Sequence, residues 1–521
     1  MKDNHIMQNP FRPFRAVLPF LLIAVIEPCG FAQSNSVWES VLVGPYAVGY
    51  EKRDLFDYSR TFKPENDYFG NPTIGEIARP IPLHLFFPAG RNAEAVSVSY
   101  ADFIAAAAIS SVSETGKDSL QSYALVNYKT SLGEMGVSDA VADRLLSAKT
   151  PVYLNTQPVP GKYPVIIYVP SINSDPYENL VLISCLVSHG YLVISCPSVG
   201  AHTIEVTRDV MGAEAVARDI EFLLSYIRQL PQADRDHVGC LGFSWGGMIS
   251  VAAAMRNYTV DAVVCLDGAQ FFPKYKTVAA QLVEFDAHAF RVPFLGFVRN
   301  SADRDYGFFD DLKFADACLI KLAGIPHRAF GSDYIMWNDC IPDNPAEDVQ
   351  RMATAYRVIC SYTLNFFNAL LRSDTAGQTY IQKEPLRNGF ISNDIQHQWK
   401  PARCHPPREK EFLQIINERG VAEAVRIFAD VRSKDSTAVF FREEDLLQYT
   451  IEWGPERADE LLRLLLMNIQ AYPQSADSYF WLGQVSLAKN DLENARKSLR
   501  QALTINPEHE KAKKLLTKIG E

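Results

Sequence analysis

The stretch Val238-Gly239-Cys240-Leu241-Gly242-Phe243-Ser244-Trp245-Gly246-Gly247-Met248 decides the reading of this chain. Val238–Leu241 is a short apolar run of the kind that forms a buried strand, and the alanine-rich segment Gly246–Arg256 has helical character. Ser244 sits between them, with glycine two residues before it and two residues after it. That is the pattern of a nucleophile elbow: small residues let the backbone close around a serine held on a tight strand-to-helix turn. The helix N-terminus beneath it favours negative charge that develops near the serine.

The alternation continues outward from the elbow. Upstream, Val165–Val169 and Tyr191–Cys196 read as strands, with helices over Glu178–His189 and Gly212–Gln229. Downstream, strands are expected at Asp261–Leu266, Pro293–Val298 and Cys318–Leu322, before a long helix, Ala346–Leu371. Buried strands that alternate with helices imply an α/β fold with a mostly parallel sheet covered on both faces. Residues 37–90 read as strands and turns, including Trp38–Tyr50 and Pro82–Phe87. Residues 100–150 carry helical patterns between strand-like segments, so they read as a helical insertion.

A serine hydroxyl is a weak nucleophile and needs a base, which in turn needs an orienting acid. The expected order along the chain is serine, acid, histidine. Five of the ten histidines follow Ser244. His327 directly follows the strand Cys318–Leu322, in Gly324-Ile325-Pro326-His327-Arg328-Ala329-Phe330, where a catalytic loop is expected. His288 precedes a strand and is next in line, while His397, His405 and His509 lie beyond the last helix of this region. The acid has two candidates: Asp267, which ends the strand after the nucleophile helix, and Asp303, which follows the next strand with Asp305 close by. Both strand ends point to the carboxyl edge of the sheet, where the sites of such sheets lie.

Together with the elbow, Tyr163-Pro164-Val165-Ile166-Ile167-Tyr168, Leu266-Asp267-Gly268 and Gly324–Phe330 resemble the platelet-activating-factor acetylhydrolase family. That family lies within the dienelactone-hydrolase-like α/β hydrolases. The resemblance covers roughly residues 37–372 and implies an α/β-hydrolase sheet. It maps the nucleophile to Ser244, the acid to Asp267 and the base to His327, with backbone N–H groups of Trp245 and Ile172 as oxyanion donors. Three departures stand out. Val169-Pro170-Ser171-Ile172-Asn173 replaces a glycine-containing oxyanion run, Phe243 replaces a histidine, and Ala269 replaces an aromatic residue after the acid. The acyl pocket should therefore differ, and the acetyl-phospholipid substrate is not carried over.

Past the proline-containing stretch 385–407 the strand runs stop. Residues 476–509 fit a 34-residue helical repeat through Leu482-Gly483, Ala495, Leu499, Ala502 and Pro507. One period earlier, Leu461, Leu465 and Pro473 match Ala495, Leu499 and Pro507, and 409–433 reads as a third, weaker helical pair. This resembles the tetratricopeptide module at the C-terminus of various bacterial serine hydrolases. Fewer than three good repeats imply that the module leans on the main domain. Nothing in 408–521 is expected to take part in the chemistry.

At the other end, Arg12 and Arg15 precede the apolar run Ala16–Ile26, which is about half the length of a membrane span. Gly30 and Ala32 then suit signal peptidase, so residues 1–32 read as a signal peptide on an exported, periplasmic or secreted protein. The expected organisation is a hydrolase domain over 33–400 with its insertion near 100–150, then repeats over 408–521. No membrane span is expected after signal removal. The net charge of -10 argues against nucleic acid. Of nine cysteines, Cys196, Cys240 and Cys265 lie in buried-strand runs, and Cys185–Cys196 or Cys318–Cys340 are pairs that an oxidising compartment would permit. Cys404-His405 is too isolated for a metal site, and neither a metal nor an organic cofactor is implied.

The expected function is hydrolysis of a small or lipid-like carboxylic ester by a Ser-His-Asp triad, with a protein partner for the repeats. A serine peptidase of the same fold is the rival enzyme. A non-catalytic hydrolase-like scaffold that presents the repeats is the rival from another class.

Overall fold

The computed structural model describes residues 43–520 except 68, 74, 91–94, 108–116 and 340–344. The expected signal peptide and its cleavage after Ala32 lie outside the described residues, as does Cys340. Eleven strands form one sheet: β1 (Ala47–Phe62), β2 (Ile77–Ala89), β3 (Val96–Ser99), β4 (Lys149–Leu154), β5 (Tyr163–Val169), β6 (Leu192–Ser195), β7 (Ala233–Phe243), β8 (Ala262–Leu266), β9 (Phe294–Arg299), β10 (Ala317–Leu322) and β11 (Ile395–Lys400). Their order across the sheet is β11-β10-β9-β8-β7-β5-β6-β2-β1-β4-β3.

The run β6-β5-β7-β8-β9-β10 is parallel throughout. The chain leaves β5 for β6 on one side and returns to β7 on the other, so the order reverses between the carboxyl ends of β5 and β7. In open α/β sheets a crevice for ligands opens at such a reversal.

The central strands are buried on both faces. Every residue of β5 and β8 is buried. Alternate residues supply two separate cores: Ile166, Tyr168, Leu241 and Leu266 point to one, and Val165, Ile167, Cys240 and Cys265 to the other. The long helix Ala346–Leu371 covers the first face through Tyr356, Ile359 and Phe367. The helices Val210–Tyr226 and Trp245–Arg256 cover the second through Ile220, Leu223, Met248 and Ile249.

The insertion contains the helices Tyr100–Ala107, Lys117–Glu134 and Asp139–Ser147. Three strands were not anticipated. β3 is only four residues long, and β4 and β11 carry Lys, Thr, Gln and His among their apolar positions. β11 pairs antiparallel with β10 at the sheet edge and none of its residues is fully buried. Edge strands of this kind lack the apolar signature of the centre.

All seven described cysteines are free thiols, so the pairing of Cys185 with Cys196 is corrected. Cys185 lies in the core on one face of the sheet and Cys196 in the core on the other. Cys318 points its thiol at His397 Nε2, 3.3 Å away.

From Glu409 onward the described chain is helical. Glu443–Glu452 and Ala458–Ala471 form one antiparallel pair, and Ala476–Ala488 and Leu492–Ile505 the next. Leu461 and Leu465, together with their equivalents Ala495 and Leu499, are all buried. The module shares its core with the sheet domain, because Phe314 and Cys404 join Phe412, Phe428 and Phe441 in one cluster. Arg408 Nη2 donates to Val260 O at 3.0 Å, and Arg291 Nη2 donates to Val439 O at 3.2 Å.

Phe314 is thus a bolt between the two parts. Phe314→Ala should lower the unfolding free energy by about 3–5 kcal/mol, the usual range for a buried phenylalanine. A denaturant titration that showed no loss would mean that the module docks without this contact.

Candidate active site

Ser244 leaves β7 with φ 53 and ψ −114, a left-handed conformation that is unusual for serine. Three close approaches hold it there. A Cβ on Gly242 would lie 2.2 Å from Gly246 O, and one on Gly246 would lie 2.1 Å from Val169 O. A Cβ on Gly247 would lie 2.9 Å from Gly268 Cα. Each glycine of the motif is therefore required by backbone packing, and the turn is clamped between the ends of β5 and β8. Ser244 N–H donates to Leu266 O at 2.8 Å, and Ala269 N–H donates to Ser244 O at 2.7 Å.

Asp267 follows β8, also at positive φ (40). Its carboxylate has no solvent exposure. Oδ1 accepts from Arg299 N–H at 3.0 Å and from Arg304 Nε at 3.1 Å. Oδ2 accepts from Arg304 Nη2 at 2.6 Å and lies 2.6 Å from His327 Nδ1. Burial by itself pushes the carboxyl pKa up, and the hydrogen bonds and charges of His327 and Arg304 outweigh it, leaving it below the ordinary value.

His327 follows Gly324 (φ 69) and Pro326 at the end of β10. Its Nε2 lies 2.9 Å from Ser244 Oγ. The ring rests against Phe243 with centroids 5.1 Å apart and meets Phe272 edge-on at 5.3 Å. Phe272 is in turn covered by the Arg304 guanidinium, 3.6 Å above its ring.

The structure thus brings Ser244, His327 and Asp267 into one hydrogen-bonded chain. Asp303 is not in it: its carboxylate is largely exposed and faces Arg299 Nη2 at 2.7 Å. Asp305 accepts from Gly307 N–H and from Lys276. His288 is exposed, with Nε2 3.9 Å from Asp311 Oδ2. Trp245 opens the helix after Ser244, where first-turn N–H groups have no intrahelical acceptor. Its indole is buried in the second core. Ile172 lies on the loop after β5, on the other side of the crevice.

Two residues here escaped the sequence reading. Arg304 sat in a polar run that resembles a solvated turn, yet its side chain is fully buried. Glu178 is a buried carboxylate that holds the loop carrying Ile172. It accepts from Ser171 N–H (2.7 Å), Ser171 Oγ (2.7 Å) and Tyr168 OH (2.6 Å). Asn179 Nδ2 donates to Tyr168 OH, and Tyr356 OH donates to Asn179 Oδ1, each at 2.8 Å. Burial raises the Glu178 pKa, and these bonds oppose the rise. Ser171 and Glu178 lie seven residues apart, but no local pattern marks them as partners.

Two family models match parts of the chain. Residues 122–297 match the family model "Chlorophyllase", and residues 476–509 match the model "Tetratricopeptide repeat". The described residues have an α/β-hydrolase-type fold with a C-terminal tetratricopeptide module. Among solved structures, this chain is similar to a ferulic acid esterase from Streptomyces cinnamoneus, with 16% identity and a TM-score of 0.46, over 68% of this chain and 96% of that one. No curated protein sequence matches this chain. Among the described residues no helix is long and apolar enough to cross a membrane.

The Arg304–Asp267 pair is buried and bidentate, so removing one partner leaves an uncompensated charge. Arg304→Met should cost about 3–5 kcal/mol of stability at neutral pH. The loss should shrink in acid, because protonated Asp267 no longer needs the cation. Equal melting temperatures for variant and parent at pH 7 would contradict this role.

Proposed function

We propose that the protein is an exported serine hydrolase that cleaves carboxylic esters through an acyl-enzyme. The unbroken chain Asp267–His327–Ser244 at the reversal point of the sheet carries this reading. The chlorophyllase match over residues 122–297 supports it.

In this reading His327 carries its proton on Nδ1, facing Asp267, and its Nε2 lone pair faces Ser244. As Ser244 Oγ bonds to the ester carbonyl carbon, its proton passes to Nε2. The carbonyl oxygen becomes an oxyanion held by the N–H groups of Trp245 and Ile172, each worth about 3–4 kcal/mol of barrier in comparable sites. Collapse breaks the bond to the alcohol, which leaves with the proton from His327. Water, deprotonated by His327, then attacks the acyl-enzyme and frees the acid and Ser244. Asp267 keeps the imidazole in register and stabilises it while protonated. The N-terminal segment supports a periplasmic or secreted location, and the C-terminal repeats support a protein partner.

Hydrolysis of p-nitrophenyl butyrate and labelling by a fluorophosphonate probe test this reading. Ser244→Ala should abolish both, and a variant that kept both would require another nucleophile. A parent protein that is folded yet inert to the probe would favour a non-catalytic scaffold.

The acid is tested separately. Asp267→Asn should lower kcat by about 10⁴, because the amide favours the wrong histidine tautomer. Asp303→Asn should change kcat by less than about threefold, as expected for an exposed side chain away from the reacting atoms. The reverse pattern in steady-state kinetics would reassign the orienting acid.

A further inference from the structure

A cavity of about 780 Å³ adjoins the crevice on the side of β5 and β6. Ser244 and His327 do not line it. Its walls are Asn173–Asp175 after β5, Pro197–Val199 and Thr203–Thr207 after β6, the turn Glu65–Asp67, and the insertion helix Lys117–Glu134. It therefore lies at the same carboxyl edge of the sheet as the Ser244 turn. Ile172 and Asp175 are three residues apart, and chain of that length spans at most about 11 Å. The insertion also reaches the loop of His327, where Arg328 meets Met135.

Four carboxylates line the cavity: Glu65, Asp67, Asp175 and Glu205. Among the described residues, no lysine, arginine or histidine lines it. The cations that act on it from outside are Lys52, which faces Asp175, and Arg328, which faces Tyr128. Tyr123, Tyr128 and Tyr177 add aromatic surface, with the last two rings 5.9 Å apart and nearly perpendicular.

Three buried polar atoms in this wall have no hydrogen-bond partner: Tyr128 OH, Asp175 Oδ1 and Ser198 Oγ. Ser198 is 5% exposed. Unpaired buried polar atoms are uncommon, and a carboxylate left so is the most costly kind. Burial, followed by the nearby Glu178, lifts the Asp175 pKa to about 7. A cation that entered the cavity would supply the missing partner and return Asp175 to its ionised form. Perpendicular tyrosine faces beside carboxylates suit an alkylammonium, which is held by charge and by the ring quadrupoles.

We propose that this cavity binds a positively charged alkylammonium group carried by the ester substrate, with Asp175 as its principal counter-charge. The proposal rests on the ester-hydrolase reading for its link to catalysis, but the binding site itself does not.

Two measurements on the full-length protein separate these parts. In the first, kcat/KM is compared for butyrylcholine and its uncharged isostere 3,3-dimethylbutyl butyrate, with p-nitrophenyl butyrate as reference. The charged ester should be favoured on the order of tenfold, in keeping with a desolvated cation–π and ion-pair site. That ratio should fall towards one in Asp175→Asn and partway in Glu205→Gln. Because a ratio is read, a general loss of activity cancels. Glu205 is exposed, so its variant should fold even where Asp175→Asn does not. Equal rates for the two esters, or a preference for the neutral one, with the p-nitrophenyl ester still cleaved, would overturn the proposal.

In the second, benzyltrimethylammonium is titrated by calorimetry. Binding should weaken at least about tenfold in Asp175→Asn or, if that variant is unfolded, severalfold in Glu205→Gln. Absence of binding to the parent protein would overturn the site. Binding without hydrolysis of any ester would keep the site and sink the ester-hydrolase reading instead.

Discussion

Asp267 places a negative charge in the interior with no access to water, and the candidate site is arranged around keeping it there. A lone buried carboxylate would take up a proton and could no longer stabilise an imidazolium. Arg304 prevents this with a bidentate contact, and Arg299 N–H and His327 fill the remaining acceptor positions. Arg304 also lies over Phe272, whose edge meets His327. The cation thus holds Asp267 by hydrogen bonds and His327 by packing through Phe272. A rigid, water-poor setting of this kind makes a hydrogen-bonded chain stronger than its parts would be in water.

Two backbone constraints bring the remaining atoms to the same point. The Ser244 turn presses against the ends of β5 and β8, and only glycine at 242, 246 and 247 permits that approach. The facing loop after β5 has no glycine, so its shape depends on side chains, with Glu178 gathering Ser171 and Tyr168. Tyr356 of the long helix braces that cluster through Asn179. The loop is therefore tied to the core on one face of the sheet, while the nucleophile helix packs into the core on the other.

The C-terminal module is also part of this economy of packing. Its first helices close over Phe314, which belongs to the sheet domain, and form one core with it. A short helical array with so few repeats has too little core of its own to stand apart. A partner bound to the repeats would therefore meet a surface continuous with the hydrolase domain.

The amino-acid sequence by itself determined the central sheet, the tight turn at Ser244 and the repeat module. These rest on local signals: apolar runs long enough to be buried on both faces, glycine spacing imposed by a tight turn, and a fixed helical period. It also narrowed the acid to Asp267 or Asp303, because both follow strands at the same edge. Only the tertiary structure shows which of them meets His327: Asp267 is buried with Oδ2 2.6 Å from Nδ1, while Asp303 is largely exposed. The edge strands β3 and β11, and β4 beside β3, stayed hidden because half-exposed strands lack a continuous apolar run. Arg304 and Glu178 stayed hidden for a related reason: a charged residue reads as surface until its partner is known. Their partners, Asp267 for one and Ser171 with Tyr168 for the other, meet them only when the loops at the carboxyl edge of the sheet converge.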